Sequence, residues 1–346
     1  MPMELFTTLN GIWFILAGVF LIGYSLTDGF DLGSGILHLF TKDEETRLTY
    51  MNAVGPVWDG NEVWLIAGGG MLFAAFPVVY AVSFSAFYMA MFLVLWALIL
   101  RAAAFEYRNK KQSKLWKGWW DFAYWVGNTL PAFLFGVAVG NAVLGIPIDQ
   151  KGVYHGSFLQ LLNPTAIFIG LVSLFMYLMH GTAYLLIKTE GKSFEFAKRW
   201  AVIGFIGYTV SLVIADFFII ATKPQLFMNF FDYPLFWIAP AIMIIGIILF
   251  FKWLVIDENY NKVIYGSSLT IIGTVLTIAF ASYPVFIRST IDEKYSLTIW
   301  NSASSNLTLT IMLISTLIFL PIIIWYTVYV YRVFKGKVSA EGGYGH

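Results

Sequence analysis

Two pairs of carboxylates stand three residues apart in a sequence that is otherwise greasy: Asp28 and Asp31 in TDGFDLG, and Asp59 and Glu62 in WDGNEVWLI. Residues three apart share a face of a helix, so each pair presents two acids in one direction. Low dielectric disfavours the charged form of such groups, and closely spaced carboxyls titrate as a coupled set. Acids gathered on one level inside a membrane have the profile of a proton-collecting site. A plainer reading serves the second pair equally: Asp59 as a helix N-cap with Glu62 three positions on, a capping box in outline. Arg101 and Glu106 follow in RAAAFEYR, while Asp121 and Asp216 each stand alone among apolar residues. Each ionisable group inside a span is costly and is a functional hypothesis by default.

Metal chemistry has few donors. There is no cysteine, which removes disulfides, iron–sulfur clusters and thiolate sites. Of the four histidines, His155 falls in an external loop, His346 is the last residue, and His38 sits at the inner end of the first apolar run. His180 is the one candidate inside a span; haem ligation by it is conceivable, but a hydrogen-bonded packing role is the expectation, and no metal site is assigned. Glycines beside the acids, such as Gly29, Gly33, Gly60 and Gly68, permit close helix approach. Trp58 and Trp64 bracket the second acidic pair and can pack against it. Trp13, Trp119, Trp237, Trp325 and other aromatics are expected at the membrane–water interfaces.

The elements that must position these groups are spans. The chain has 346 residues, 59% hydrophobic and 12% charged, roughly half the charge of about 25% typical of soluble domains. It reads as an all-α polytopic membrane protein in contact with the lipid bilayer. Net charge is +1, and nothing points to a nucleic-acid partner. Nine spans are expected near 9–40, 58–76, 78–100, 119–142, 164–187, 200–221, 234–256, 263–287 and 307–331. Val63–Leu100 carries no charge and is long enough for two crossings, with Phe76-Pro77 as the turn between them. The first run exceeds the ~30 Å hydrocarbon core, so it tilts or projects around TDGFDLGSG. The N-terminus lacks a basic region before its apolar stretch and reads as a retained span rather than a cleaved signal.

Seventeen Lys and Arg fall on one set of loops and four on the other. That asymmetry predicts the N-terminus outside and the C-terminus in the cytoplasm, with both acidic pairs and Arg101 toward the cytoplasmic half. GVFLIGYSLTDG (18–29) aligns with GLVSLFMYLMHG (170–181) through two glycines and one leucine. The chain is therefore read as one integral membrane domain over 1–346. Helices 1–4 (about 9–142) and helices 5–8 (about 164–287) form two four-helix bundles, and helix 9 (about 307–331) is an addition. The polar segment RSTIDEKYSLTIWNSASSNLTLT is an external loop or a docking surface.

Taken in order, TDGFDLGSG (27–35), WDGNEVWLI (58–66), AAFPVVYAVSFSAFYMA (74–90), the Arg101 segment, LLNP (161–164) and SLTIWNSASSNLTLTIM (296–312) resemble subunit II of the cytochrome bd-type quinol oxidases. The resemblance spans nearly the whole chain. It implies a bacterial or archaeal cell-membrane respiratory complex in which quinol is oxidised near the outer face and O2 is reduced to water with cytoplasmic protons. A separate subunit I would carry haem b and haem d (or only b) and the quinol site; this chain would hold no haem, and a small accessory membrane subunit is admitted. By motif, proton delivery falls on Asp28, Asp31 and Asp59, with Asp59 nearest subunit I. Glu62 occupies a position where other members of the resembled family can carry a neutral residue, and Asn301 one where some have Asp. Arg101 and Glu106, with Trp58 and Asn61, are expected to brace the cytoplasmic ends or contact the partner, and Trp64 to border a route for O2. A proton-coupled transporter, which would need a midplane site with broken helices, and a purely structural partner subunit are the competing readings.

Overall fold

The computed structural model of the chain describes residues 5 and 7–341; His346 lies outside the described residues. Apolar composition and the need to satisfy every backbone group within the segment favour helices throughout. α1 (Leu9–Ile36) starts at Thr8, whose hydroxyl accepts from Gly11 N at 3.2 Å. Next come α2 (Glu44–Val54), α3 (Trp58–Ala75), α4 (Pro77–Ala86), α5 (Tyr88–Tyr107), α6 (Lys114–Leu144), α7 (Pro164–Lys188) and α8 (Gly191–Thr222). The short α9 (Met228–Asp232) leads to α10 (Ile238–Phe251), α11 (Tyr260–Ser282) and α12 (Asn306–Val333). Among the described residues eight helices are long and apolar enough to cross a membrane, or nine when the bent pair α3–α4 is taken as one span.

That bent pair corrects the expected third span. Pro77 ends α3 and opens α4, which leaves at 119° to it, and a second break at Phe87 precedes the long apolar helix α5. The uncharged run Val63–Leu100 thus holds most of one crossing, a ten-residue turned segment and most of another, and the third span begins at Tyr88 rather than 78.

At ~1.5 Å per residue α1 is about 42 Å long, more than the hydrocarbon core needs. Its last nine residues, Asp28–Ile36, are all buried, so the surplus length is enclosed by protein. Sequential helices pack in pairs, α7 with α8, α10 with α11 and α5 with α6, while α1 against α7 joins the first half of the chain to the second. That crossing depends on two glycines. A Cβ on Gly33 would stand 1.9 Å from the Tyr177 carbonyl oxygen, and one on Gly181 2.5 Å from Gly33. Only at such backbone-to-backbone contact can the acids of α1 be sealed by α7.

Trp13 departs from the interfacial expectation: it is buried, and its indole N–H donates to Leu309 O of α12 at 3.0 Å. α12 itself is exposed along nearly its whole length. In the external segment Val285–Ile287 (β1) pairs antiparallel with Leu297–Thr298 (β2). Asn301 holds the hairpin end, accepting from Thr298 N at 2.8 Å and donating to Ser296 O at 2.9 Å, a role an amide performs without charge.

Candidate functional site

Three helices bring the acids together. Asp28 lies two turns from the end of α1 with no exposure, and Arg101 of α5, equally enclosed, grips it with both Nη atoms, at 2.7 and 3.2 Å. The same Arg101 Nη2 also donates to Glu62 of α3. Bidentate charge-assisted bonds of this kind fix geometry as well as energy. Asp31, one turn further along α1, has a different partner: its Oδ2 accepts from Asn61 Nδ2 at 2.7 Å, and Asn61 Oδ1 accepts from Tyr331 of α12 at 2.6 Å. Asp31 Oδ1 has no hydrogen-bond partner among the described residues. One guanidinium therefore faces three carboxyls. A site that cannot neutralise all three with fixed cations has room for protons.

The second acidic pair is not a capping box. The N-cap of α3 is Val57, with no side-chain cap, and Asp59 and Glu62 both lie inside the helix. The two also separate in role: Glu62 turns inward to Arg101, while Asp59 is exposed on α3 and makes no ion pair with a described residue. Trp58 stacks on Phe105 (5.1 Å between centroids, 8° between planes) instead of on the acids. Trp64 fills the space beside Gly23, where a Cβ would come within 2.3 Å of its ring, and packs near Phe20.

Glu106 is exposed and without an ion pair among the described residues, so it does not join Arg101 in a brace. The brace is built elsewhere, around a residue that seemed solitary. Asp121 of α6 accepts from Arg108 Nε at 2.5 Å, Arg47 Nη1 at 2.8 Å and His38 Nε2 at 2.5 Å. Arg108 also reaches Glu44 of α2 at 2.8 Å, and Lys117 joins that carboxylate at 3.1 Å. Hydrogen bonding from Arg108 holds the Glu44 carboxyl below its usual range. Arg108 is the C-cap of α5, seven residues beyond Arg101, so the clamp on Arg108 anchors the end of the helix that carries Arg101. Spacing alone gave no sign of this network, because its members come from four separate segments.

The histidines are engaged. His180 accepts or donates at both nitrogens, Nδ1 to Ser267 Oγ at 2.8 Å and Nε2 to Leu26 O at 3.0 Å, and His155 Nε2 meets Asp149 at 2.9 Å in the outer loop. His38 is tied to Asp121.

Comparison with known proteins bears on this arrangement. The profile described as "Cytochrome bd terminal oxidase subunit II" matches residues 9–334. The chain is 36% identical over 369 residues to "Probable cytochrome oxidase subunit 2" of Haemophilus influenzae, covering 96% of each. It is 35% identical over 367 residues to "Cytochrome bd-I ubiquinol oxidase subunit 2" of Escherichia coli strain K12, covering 97% of each. To "Cytochrome bd ubiquinol oxidase subunit 2" of Bacillus subtilis it is 30% identical over 336 residues, 96% of this chain and 97% of the relative. Among solved structures, a chain of the bd oxidase from Geobacillus thermodenitrificans shares the fold, with a TM-score of 0.78 at 14% identity over 95% of this chain and 99% of that one.

Proposed function

The chain belongs to the cytochrome bd terminal oxidase subunit II family, and from that premise we propose that it serves as the haem-free partner of a haem-bearing subunit I and delivers cytoplasmic protons to it. Haem b and haem d, or haem b alone, would sit in subunit I and supply the electron chemistry that reduces O2 with electrons from quinol. The observation that carries the reading is the set of three carboxyls, Asp28, Asp31 and Glu62, around one arginine within membrane-spanning helices.

In this reading Arg101 holds Asp28 and Glu62 as a fixed anionic pair, and Asp31, with one oxygen unpartnered among the described residues, is the carboxyl that takes up and releases a proton. Asn61, held by Tyr331, orients it. Asp59, exposed on α3, passes the proton into subunit I, which covers that face. The same proposal places the N-terminus outside and the C-terminus in the cytoplasm, and treats the two halves joined at the α1–α7 crossing as related bundles. Trp64, packed beside Gly23, borders apolar space through which O2 approaches. A midplane site with broken helices, which a transporter would need, finds no support in the placement of these acids.

The test is turnover of the whole complex carrying Asp59→Asn, with haem content read from the reduced-minus-oxidised spectrum. Slowed O2 consumption with an unaltered spectrum supports proton delivery. Full turnover in that variant contradicts it, and a lost spectrum in both Asp59→Asn and Asp31→Asn would favour a purely structural partner.

A further inference from the structure

The one intramembrane acid that the carboxylate cluster and the Asp121 clamp leave unused is Asp216, on α8. It lines an apolar cavity of about 200 Å³ between α6, α7, α8, α10 and α11. No described residue gives it a hydrogen bond or an ion pair. The hydroxyls on that wall are already committed as donors. Thr277 Oγ1 donates to Gly273 O at 2.7 Å. Thr274 Oγ1 donates to Thr270 O at 2.7 Å, which leaves Tyr208 to donate to Thr274 across 2.7 Å. What the wall still offers is the Asp216 carboxylate, the free lone pair of Thr277 and, at its aromatic part, the indole N–H of Trp237.

Three aromatic side chains share the lining with Asp216. Phe227, Phe230 and Trp237 line the same cavity, and Phe230 and Trp237 lie 5.5 Å apart between ring centroids at 53°. A carboxylate among tilted aromatic rings is suited to an ammonium group, which gains from the charge and from the ring faces together. Behind it, two further apolar cavities of about 70 and 180 Å³ share Val139 and Ile278 with the first, and one extends past Gly18 toward Phe14 on α1. This offers a tail more room than the first chamber alone.

We propose that this cleft binds an amphiphile with an ammonium head and an unbranched apolar tail, the head on Asp216 and the aromatic rings, the tail along Val139 and Ile278. A ligand with no donor would leave Asp216 unpaired, meeting that carboxylate acceptor against acceptor, and an anion would be repelled by it. Asp216 therefore selects on charge, and the cavity on shape.

The experiment uses the purified complex in a non-ionic detergent and a photoreactive octylammonium carrying a diazirine on its tail. The expected result is saturable labelling of α8 and α11 peptides. Unlabelled octylammonium should compete and octanoate should not, with octan-1-ol weaker by about tenfold or more. Asp216→Asn should raise the half-saturation by about tenfold, and Asp216→Glu should recover most of the loss. Should Asp216→Asn fail to assemble, Ala281→Leu, which fills the cavity and keeps the acid, must abolish the labelling. Mass spectrometry of lipid retained by the complex separates the sources: an ammonium-headed phospholipid held by the parent and absent from Asp216→Asn makes the occupant a membrane lipid, and saturable labelling with no such lipid makes it a free amphiphile. Equal half-saturation in parent and Asp216→Asn, or octanoate competing as well as octylammonium, overturns the proposal.

Discussion

Replacing Arg101 with leucine should be among the most damaging single changes in the chain. The guanidinium is fully enclosed and, among the described residues, is the only cation bonded to Asp28 and Glu62. Without it, two acids converging on one point must either repel each other at low dielectric or take up protons to fold. Breaking a buried pair by removing one partner costs about 3–5 kcal/mol, against a total stability of order 5–15 kcal/mol. The assay is the yield of assembled complex and its half-life at an inactivating temperature. Arg101→Leu should lower both steeply. Adding Asp28→Asn and Glu62→Gln to Arg101→Leu should recover much of the loss, since the penalty comes from uncompensated charge more than from lost packing. The reasoning is refuted if Arg101→Leu assembles and survives heating like the parent, or if the neutralising changes only add to the damage.

Further outcomes follow from the same geometry. Gly33→Ala should cost at least about 1–3 kcal/mol through overpacking against the Tyr177 carbonyl, whereas Gly18→Ala, with nothing within 4 Å of the new Cβ, should leave assembly unchanged; yield of folded chain compares the two. Tyr331→Phe should cost about 1 kcal/mol by removing one hydrogen bond and, by freeing Asn61, slow O2 consumption more than it lowers stability. Asp121→Asn should loosen α2 from α5 and α6, read as faster amide exchange over residues 44–54 with the haem spectrum retained. Glu44 has a folded pKa below its ordinary value of 4.5 because Arg108 bonds its charged form. Its contribution is fully present above that value and is lost as pH falls through the lower folded pKa. Protection of the α2 amides, taken against the intrinsic exchange rate at each pH, should therefore be flat from pH 7 to the ordinary glutamate range and fall below it, and Glu44→Gln should remove the fall.

Much of this architecture was legible in the residues. Apolar runs place the spans because a membrane admits little besides uninterrupted helix, and Phe76-Pro77 marks the end of α3 through proline's missing donor and fixed φ. What a hydropathy pattern does not hold is direction: nothing in it distinguishes a return crossing from the 119° excursion of α4. At the site, the three-residue spacing finds Asp28 and Asp31 on one face and links Asp59 to Glu62. It misses that Glu62 and Asp59 then part, one to Arg101 and one to the surface, because that depends on which neighbour lies on each side of α3. Arg101 was read as a brace with Glu106, five residues away on the wrong side of α5; the partners it takes are 73 and 39 residues away. Asp121 looked solitary for the same reason, since its donors come from positions 38, 47 and 108. Tyr331 and Trp13 reach across from the last and first spans, contacts that only the packed bundle brings about.

The central claim is that the buried carboxyls of this chain feed protons to its haem-bearing partner. Time-resolved proton uptake from the cytoplasmic side, during a single turnover of fully reduced complex with O2, measures that step directly. In Asp31→Asn and Asp59→Asn, uptake should slow by about tenfold or more while electron transfer up to the first proton-requiring step keeps the parent's rate. Uptake at the parent's rate in both variants, with haem content intact, would contradict the account.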